Sequence, residues 1–320
     1  MKYMLKYAIQ RILLMLMTLS IITLICFVLI RMLPPKALEP GDIHTQAIMM
    51  QREAFGYNKP YLVQFDIFLK NVFKDFNWGM SDQLYPGQDV AAIFKSKLPA
   101  TMLVNLYSIF LSIPIGIMLG IVAALKKNTW IDHTISTVTM VVISVPSFVY
   151  AFLVQYFLAF KLGWLPFLMK EGTDYFSWAM FKSMLPAVLS LSFGVIAGFT
   201  RGTRAELTEV LTSEFMLLAR TKGLTKMQAT IRHAMKNCMV VILPSILSEF
   251  IGIMSGSLII EKIFSIPGVG GLYLNSINAR DYNMFLLLTV FYTVIGLLAS
   301  IAFDISYGFI DPRIRMGSKK

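Results

Sequence analysis

Six stretches of this chain run for 17 to 27 residues with at most one formal charge, and that constrains the fold more than any other feature. A helix rises 1.5 Å per residue, so about 20 mostly apolar residues cross the hydrocarbon core of a bilayer. The runs are Ile12–Ile30, Thr101–Leu125, Thr134–Phe160, Met184–Thr200, Met239–Ile260 and Phe285–Phe303. The fourth is the shortest, with Pro186 near its start. The fifth carries Glu249, and Asp304 is expected to stop the sixth. Pro146 lies inside the third, where it removes one helical hydrogen bond and predicts a kink, with plain core packing as the alternative. The first run follows Lys2, Lys6 and Arg11, as a signal peptide would. It is long for a signal sequence, and residues 31–35 offer no small-residue cleavage site, so the sequence predicts a retained helix.

The expected fold class is therefore an all-α integral membrane protein with six transmembrane helices. Composition agrees: 56% of the 320 residues are hydrophobic and 15% are charged, against about 25% in soluble domains. The net charge of +11 would suggest nucleic acid in a soluble protein. Here the basic residues cluster between apolar runs, which points to cytoplasmic loops and away from nucleic acid. With the N-terminus inside, segments 1–11, 126–133, 201–238 and 304–320 hold 16 Lys and Arg against 13 outside. Eight of those 13 fall in the long segment 31–98, where length discounts them, so the short loops predict N-in and C-in. Residues 33–98 read as an extracytoplasmic insertion with short helices around Tyr61–Phe73 and Val90–Lys97. Residues 201–238 read as a helical cytoplasmic segment, and 1–320 as a single membrane domain.

Absences narrow the function. The chain carries no G-x-x-x-x-G-K-[ST] phosphate loop and no H-E-x-x-H. His44, His133 and His233 are scattered, so no joint metal site is expected, and Cys26 and Cys238 fall toward opposite faces, which argues against a disulfide. Ion-coupled secondary transporters usually carry several ionisable groups within the spans, a backbone-lined sodium site being the exception, and intramembrane hydrolases need a paired acid, base or metal; only Glu249 sits mid-span, which argues against both. That carboxylate must face the bundle or a water-filled path.

The segment from Glu206 to Pro244 carries the most information. Thr212 or Ser213 can cap a helix through Phe215, Met216, Leu218 and Ala219, and Gly223 suits the left-handed residue that ends it. Thr225 can then cap a second helix over Lys226–Asn237 that leads into the fifth span. A short helix exposing Phe215, Met216 and Leu218, with Arg220 and Lys222 around them, is built to dock into a partner's groove. Packing back onto the membrane domain is the alternative.

Several local patterns resemble one family. Residues 219–224, Ala-Arg-Thr-Lys-Gly-Leu, resemble the A-R-A-K-G-L core of the cytoplasmic loop of binding-protein-dependent permeases. Residues 261–270 resemble its E-x-I-F-x-x-P-G-x-G, and 311–315 its D-P-R-x-R ending. Residues 144–148 resemble its S-x-P-x-F, followed by the Gly-Trp-Leu-Pro of 163–166. Residues 55–60 are similar to a G-L-D-x-P element, from which Tyr57 and Asn58 depart. Residues 217–219 (Leu-Leu-Ala) depart from the wider E-A-A triplet, so no glutamate role is carried over from it. In order over some 260 residues, these patterns resemble the permease subunit of oligopeptide and dipeptide ABC importers, the first of the two permeases in such systems.

That resemblance implies a type I importer fold working with a second homologous permease, two ATPase subunits, an extracytoplasmic substrate-binding protein, a peptide cargo and membrane lipid. ATP and Mg are expected on the ATPases, with no cofactor or catalytic residue on this chain. It also implies ATPase coupling through Glu214, Phe215, Met216, Leu218, Ala219, Arg220, Lys222, Gly223 and Leu224. Candidates for the translocation path or gate are Glu249, Pro146, Glu261, Pro267, Gly268 and Gly270. Glu249 has three open roles: attracting a peptide amino group, bonding a neighbouring helix in neutral form, or pairing with a cation on the partner permease. The turn at 267–270 is a gate, a binding-protein contact or a simple tight turn. Nickel chelates, glutathione or modified sugars are alternative cargoes within the family.

Overall fold

The computed structural model describes residues 2–38, 43–253 and 257–310, so the 311–315 motif lies outside the described residues. Among the described residues the chain forms thirteen α-helices, two short π-helical stretches and one isolated bridge between Met80 and Asp89. Five helical stretches are long and apolar enough to cross a membrane: 9–32, 90–125, 178–211, 227–252 and 282–302. A sixth is reached only if two bent helices count as one span.

Several expected boundaries move. Helix α1 (Lys2–Met32) exposes Leu13, Leu16, Met17, Ile25 and Leu29, as a lipid-facing helix does. Helices α2 (Thr45–Ala54) and α3 (Tyr61–Asp75) follow, the second close to its expected place. The separate short helix expected at Val90–Lys97 does not exist as such: α4 (Val90–Leu125) runs unbroken into the second span. Lys95, Lys97 and Pro99 mark a change of polarity, not of backbone conformation.

The fourth run was the shortest by charge, yet its helix, α7 (Trp178–Leu211), has 34 residues. Ser177 caps it, its hydroxyl accepting from the Met180 N–H at 3.3 Å. Arg201, Arg204, Glu206 and Glu209 end the apolar run but are sound helix formers, so the helix continues through them. The fifth span closes at Gly252, the end of α10 (Met235–Gly252), short of the expected Ile260; α11 (Leu258–Ile263) is a separate helix. In α13 (Tyr282–Ile310), Asp304 lies within the helix instead of stopping it.

The third run breaks more sharply than a kink. Helices α5 (Trp130–Ser144) and α6 (Ser147–Val154), the latter continued by π-helical residues 155–161, meet at 99°. Proline disfavours the helical conformation in the residue before it, and Val145 is extended at φ −95°, ψ 125°. Pro146 also has no N–H to donate to the Val142 carbonyl four residues back. That carbonyl accepts instead from the Val145 N–H at 3.3 Å and from the Tyr150 hydroxyl at 2.9 Å.

The chain divides into two compact units. The first comprises residues 1–101, 254–258 and 267–301. Its core is aromatic: Phe27 of α1 meets Phe65 and Phe68 of α3 at 5.3 and 5.5 Å between ring centroids. Arg31 is buried there with its guanidinium 3.6 Å from the Tyr57 ring and 4.9 Å from that of Tyr282. Asp281, just before α13, accepts from the Ser81 hydroxyl and from the N–H groups of Gln83 (3.2 Å) and Leu84 (3.1 Å). Arg52 Nε pairs with Asp82 at 2.9 Å. Burial pushes the Asp82 carboxyl up, with Arg52 pulling the other way, and burial likewise raises the Tyr57 hydroxyl against the pull of Arg31.

The second unit comprises residues 102–253, 259–266 and 302–320, and α7 is its axis. Helix α4 approaches α7 closely. A Cβ on Gly116 would lie 2.7 Å from Phe199 Cβ, and one on Gly120 would lie 2.5 Å from Thr203 Cβ. The buried hydroxyls of Ser108 and Ser192 join the same two helices at 3.1 Å. Helix α5 is tied to α7 by Asp132, whose side chain is fully buried. Arg204 grips it with two bonds, of 2.5 and 2.9 Å, and the Asn128 N–H adds a third at 2.9 Å.

Candidate functional site

The loop after α7 folds much as its residues predict. Helix α8 (Glu214–Thr221) ends before Gly223, which sits at φ +89°, a conformation only glycine adopts without strain. Thr225 then opens α9 (Lys226–Ala229) with a reciprocal cap: its hydroxyl accepts from the Gln228 N–H at 3.3 Å, and Gln228 Oε1 accepts from the Thr225 N–H at 3.1 Å. Residues 230–234 widen into a π-helical turn before α10, so the second helix is continuous in direction but not in winding.

The faces of α8 differ from expectation. Met216 was expected to be exposed, yet it is 2% exposed and packs with Ala219 against Leu207, Ala229 and Ala234. Leu217 and Leu218 point outward instead, at 65% and 56% exposure. Met216 follows the inward stripe because it stands three residues before Ala219, on the same helical face. The side chains of Phe215 and Arg220 lie outside the described ones. Glu214, Lys222 and Gly223 are exposed and Leu224 half-buried, packed against the same core. The element is thus anchored by one face and presents two leucines on the other.

A second feature lies between α7 and α10. An open groove of about 390 Å³ is lined by Gly194, Gly198 and Gly202 on one side and by Ser245 and Glu249 on the other. The glycines recur every fourth residue, on one face of α7, and a Cβ at any of them would meet nothing within 4 Å. Glu249 is half-buried in this groove, as expected of a mid-span carboxylate that must avoid lipid. Glu206 and Thr203 line it too.

The other expected path residues are not part of this groove. Pro146 forms the break between α5 and α6. Glu261 is buried in α11, in the second unit, and its carbonyl accepts from the Ile266 N–H at 2.8 Å. Pro267, Gly268 and Gly270 belong to the first unit and form a held turn leading into α12 (Gly270–Ala279). Within it the Val269 N–H donates to Thr101 Oγ1 at 2.9 Å, and the Val269 carbonyl accepts from the Tyr292 hydroxyl at 3.2 Å. Reading the residues singled out Glu249 but missed Leu217, Thr203, Glu206 and the glycine stripe. The four-residue glycine spacing was the available signal.

Comparison with known proteins decides what these elements belong to. Residues 116–316 match the binding-protein-dependent transport system inner membrane component, and residues 4–103 match the N-terminal region of such membrane components. The chain belongs to that family. It is 32% identical, over 98% of its length and the whole of the relative, to the dipeptide transport system permease protein DppB of Lactococcus lactis subsp. cremoris. It is 33% identical, over 98% of its length and again the whole of the relative, to the oligopeptide transport system permease protein OppB of Escherichia coli K12. The DppB of Bacillus subtilis is 30% identical over 98% of this chain and 99% of the relative. Membership makes this chain a multi-pass permease subunit of an ABC importer in the cytoplasmic membrane, and not an enzyme. The family's loop motif at 219–224 covers the end of α8 and Gly223, where the structure places the anchored helix and its left-handed stop.

Proposed function

We propose that this chain is a pore-forming permease subunit of an ATP-driven, binding-protein-dependent importer of dipeptides or oligopeptides. It works with a second homologous permease, two ATPase subunits that carry ATP and Mg, and an extracytoplasmic binding protein. The cargo rests on the relatives, which are dipeptide and oligopeptide transport permeases at 30–33% identity over nearly the full chain. The observation that carries the mechanism is α8. Met216 and Ala219 root it in the core of the second unit while Leu217 and Leu218 stand out as apolar anchors. A rooted helix transmits force: movement of an ATPase gripping the leucines is passed to α7 and α10, which flank the groove.

The reading takes residues 1–320 as one permease domain that crosses the membrane six times with both ends in the cytoplasm. It places 33–98 outside and 201–238 inside as the coupling loop, with Glu214, Phe215, Arg220, Lys222, Gly223 and Leu224 around the docking helix. In it the groove holding Glu249 is this chain's share of the path. Pro146 is a bend that can change angle, and Glu261, in the second unit, and the turn at Pro267, Gly268 and Gly270, in the first, each remain candidates for the path or its gate.

Co-expression with a second homologous permease, ATPases and a binding protein, followed by reconstitution in liposomes, tests this. Radiolabelled di- and tripeptides should accumulate only with ATP on the ATPase side and with the binding protein present. Uptake of a nickel chelate or glutathione in their place would reassign the cargo. Transport by this chain alone, driven by an ion gradient, would overturn the reading.

A further inference from the structure

The groove between α7 and α10 holds chemistry beyond a single carboxylate. Thr203 is fully buried, lines the groove, and its hydroxyl has no hydrogen-bond partner among the described residues. A buried hydroxyl left so is a cost that a ligand or ordered water in the groove would relieve. Glu206 and Glu249 are the only ionisable residues of the lining, and neither has an ion pair or hydrogen bond to a described residue. Any charge these lining residues carry is therefore negative.

The two carboxylates stand at opposite ends. Cys238 of α10 lies beside Thr203, its Sγ 4.0 Å from the Thr203 carbonyl. Phe250 stacks edge-on against Phe110 of α4, and Ser108, two residues earlier in α4, bonds to Ser192 of α7. Helices α7 and α10 are thus antiparallel, and Glu249 lies at the Gly194 end while Glu206 lies beyond Gly202. Twelve residues of helix separate the two ends, about 18 Å. No single small cation bridges that distance, but an extended chain of about five residues does. Between them the glycine stripe puts no side chain of α7 into the groove, and the space beside it is open.

We infer that this groove is a cation-selective binding track for the free α-ammonium end of an extended peptide, with Glu249 and Glu206 as successive anionic stations and the Thr203 hydroxyl as an acceptor between them. This rests on the groove being part of the translocation path. It adds what the path recognises: a protonated amino terminus, and not the peptide's side chains or carboxylate.

The test uses the full complex in nanodiscs, carrying Ser245→Cys in the groove, with the unsubstituted complex reporting background from Cys26, Cys238 and the partner subunits. Modification rates by a trimethylammonium thiosulfonate and a sulfonate thiosulfonate are each divided by the reagent's rate with a free thiol. The cationic reagent should be favoured about tenfold, as a carboxylate near a partly desolvated site allows. Glu206→Gln and Glu249→Gln should each reduce the preference, and Glu→Asp at the same positions should keep it. Trialanine should protect the cysteine at concentrations where N-acetyl-trialanine does not. Equal rates for the two reagents, or a preference that survives both Gln substitutions, would overturn the inference. So would no reaction with either reagent, which would mean that a helix of the second permease fills the groove. ATP-dependent uptake of trialanine by the unsubstituted complex, measured separately in liposomes, reports on the import reading alone, so the two can fail independently.

Discussion

At the scale of single residues, a few polar atoms hold the membrane helices in place. Pro146 removes the i+4 donor of the Val142 carbonyl, which keeps only a long 3.3 Å bond from the Val145 N–H, and in hydrocarbon no water strengthens it. The Tyr150 hydroxyl adds a second, shorter bond at 2.9 Å. Tyr150→Phe should therefore destabilise the chain by about 1 kcal/mol, seen as a lower unfolding midpoint in detergent. The same substitution in a Pro146→Ala background should cost little, because the restored N–H takes over the carbonyl. A double-mutant cycle on the two positions should show that coupling. Asp132 is a second such point. It is fully buried and held bidentately by Arg204, whose side chain is 33% exposed. Asp132→Asn should cost about 2 kcal/mol, below the 3–5 kcal/mol of a fully enclosed pair because the guanidinium it leaves behind still reaches solvent. Thermal unfolding of the purified chain, with Arg204→Lys as a milder comparison that loses the two-pronged geometry, measures it.

At the scale of elements, α8 separates two kinds of residue that look alike in the sequence. Met216 and Leu218 are both apolar and two positions apart, yet one is buried and the other stands in solvent. Met216→Ala should lower stability by about 2–3 kcal/mol and leave ATPase binding intact in the chains that fold. Leu217→Asp with Leu218→Asp should do the reverse, with an unchanged unfolding midpoint and loss of ATPase co-purification. The stop at Gly223 and the cap at Thr225 were legible because turn and cap chemistry is local, carried by one or two residues. Which way Met216 faces was not, because it depends on Leu207, Ala229 and Ala234, and only the folded chain brings these together. The same distinction explains the spans. Apolar runs showed that six segments prefer lipid. The ends of α4 and α7 escaped because charge marks where a helix leaves the apolar phase, while backbone hydrogen bonding decides where it stops. Glu249 was visible as a lone mid-span charge, whereas Glu206 looked like an ordinary loop residue until α7 proved to extend past it.

At the scale of the whole molecule, the number of crossings turns on α5 and α6. Five long helices alone would put the two ends of the chain on opposite sides, and a sixth crossing puts them on the same side. A 99° bend can belong to a re-entrant loop that returns to the face it left, or to a broken span that goes through. Contacts along α7 distinguish the two. Asp132, at the start of α5, bonds to Arg204; Tyr150, past the break, packs on Phe193 with ring centroids 5.0 Å apart; and the Lys170 N–H, beyond the π-helical turn, donates to Ser183 at 3.0 Å. The partner on α7 thus retreats steadily from 204 to 193 to 183 as the chain advances. A re-entrant loop would turn back toward 204. The distance covered is 21 residues of α7, about 31 Å, the thickness of a hydrocarbon core. This progression favours a through-going span. Single cysteines at Asn128 and Thr173 should therefore label from opposite sides of intact cells with a membrane-impermeant maleimide, Thr173→Cys from outside and Asn128→Cys only after permeabilisation. Cysteines at Lys127 and Lys222 should share the sheltered side, since α5 and the end of α7 are joined by the Asp132–Arg204 pair. Labelling of both Asn128→Cys and Thr173→Cys from the same side would make the pair re-entrant and leave five crossings.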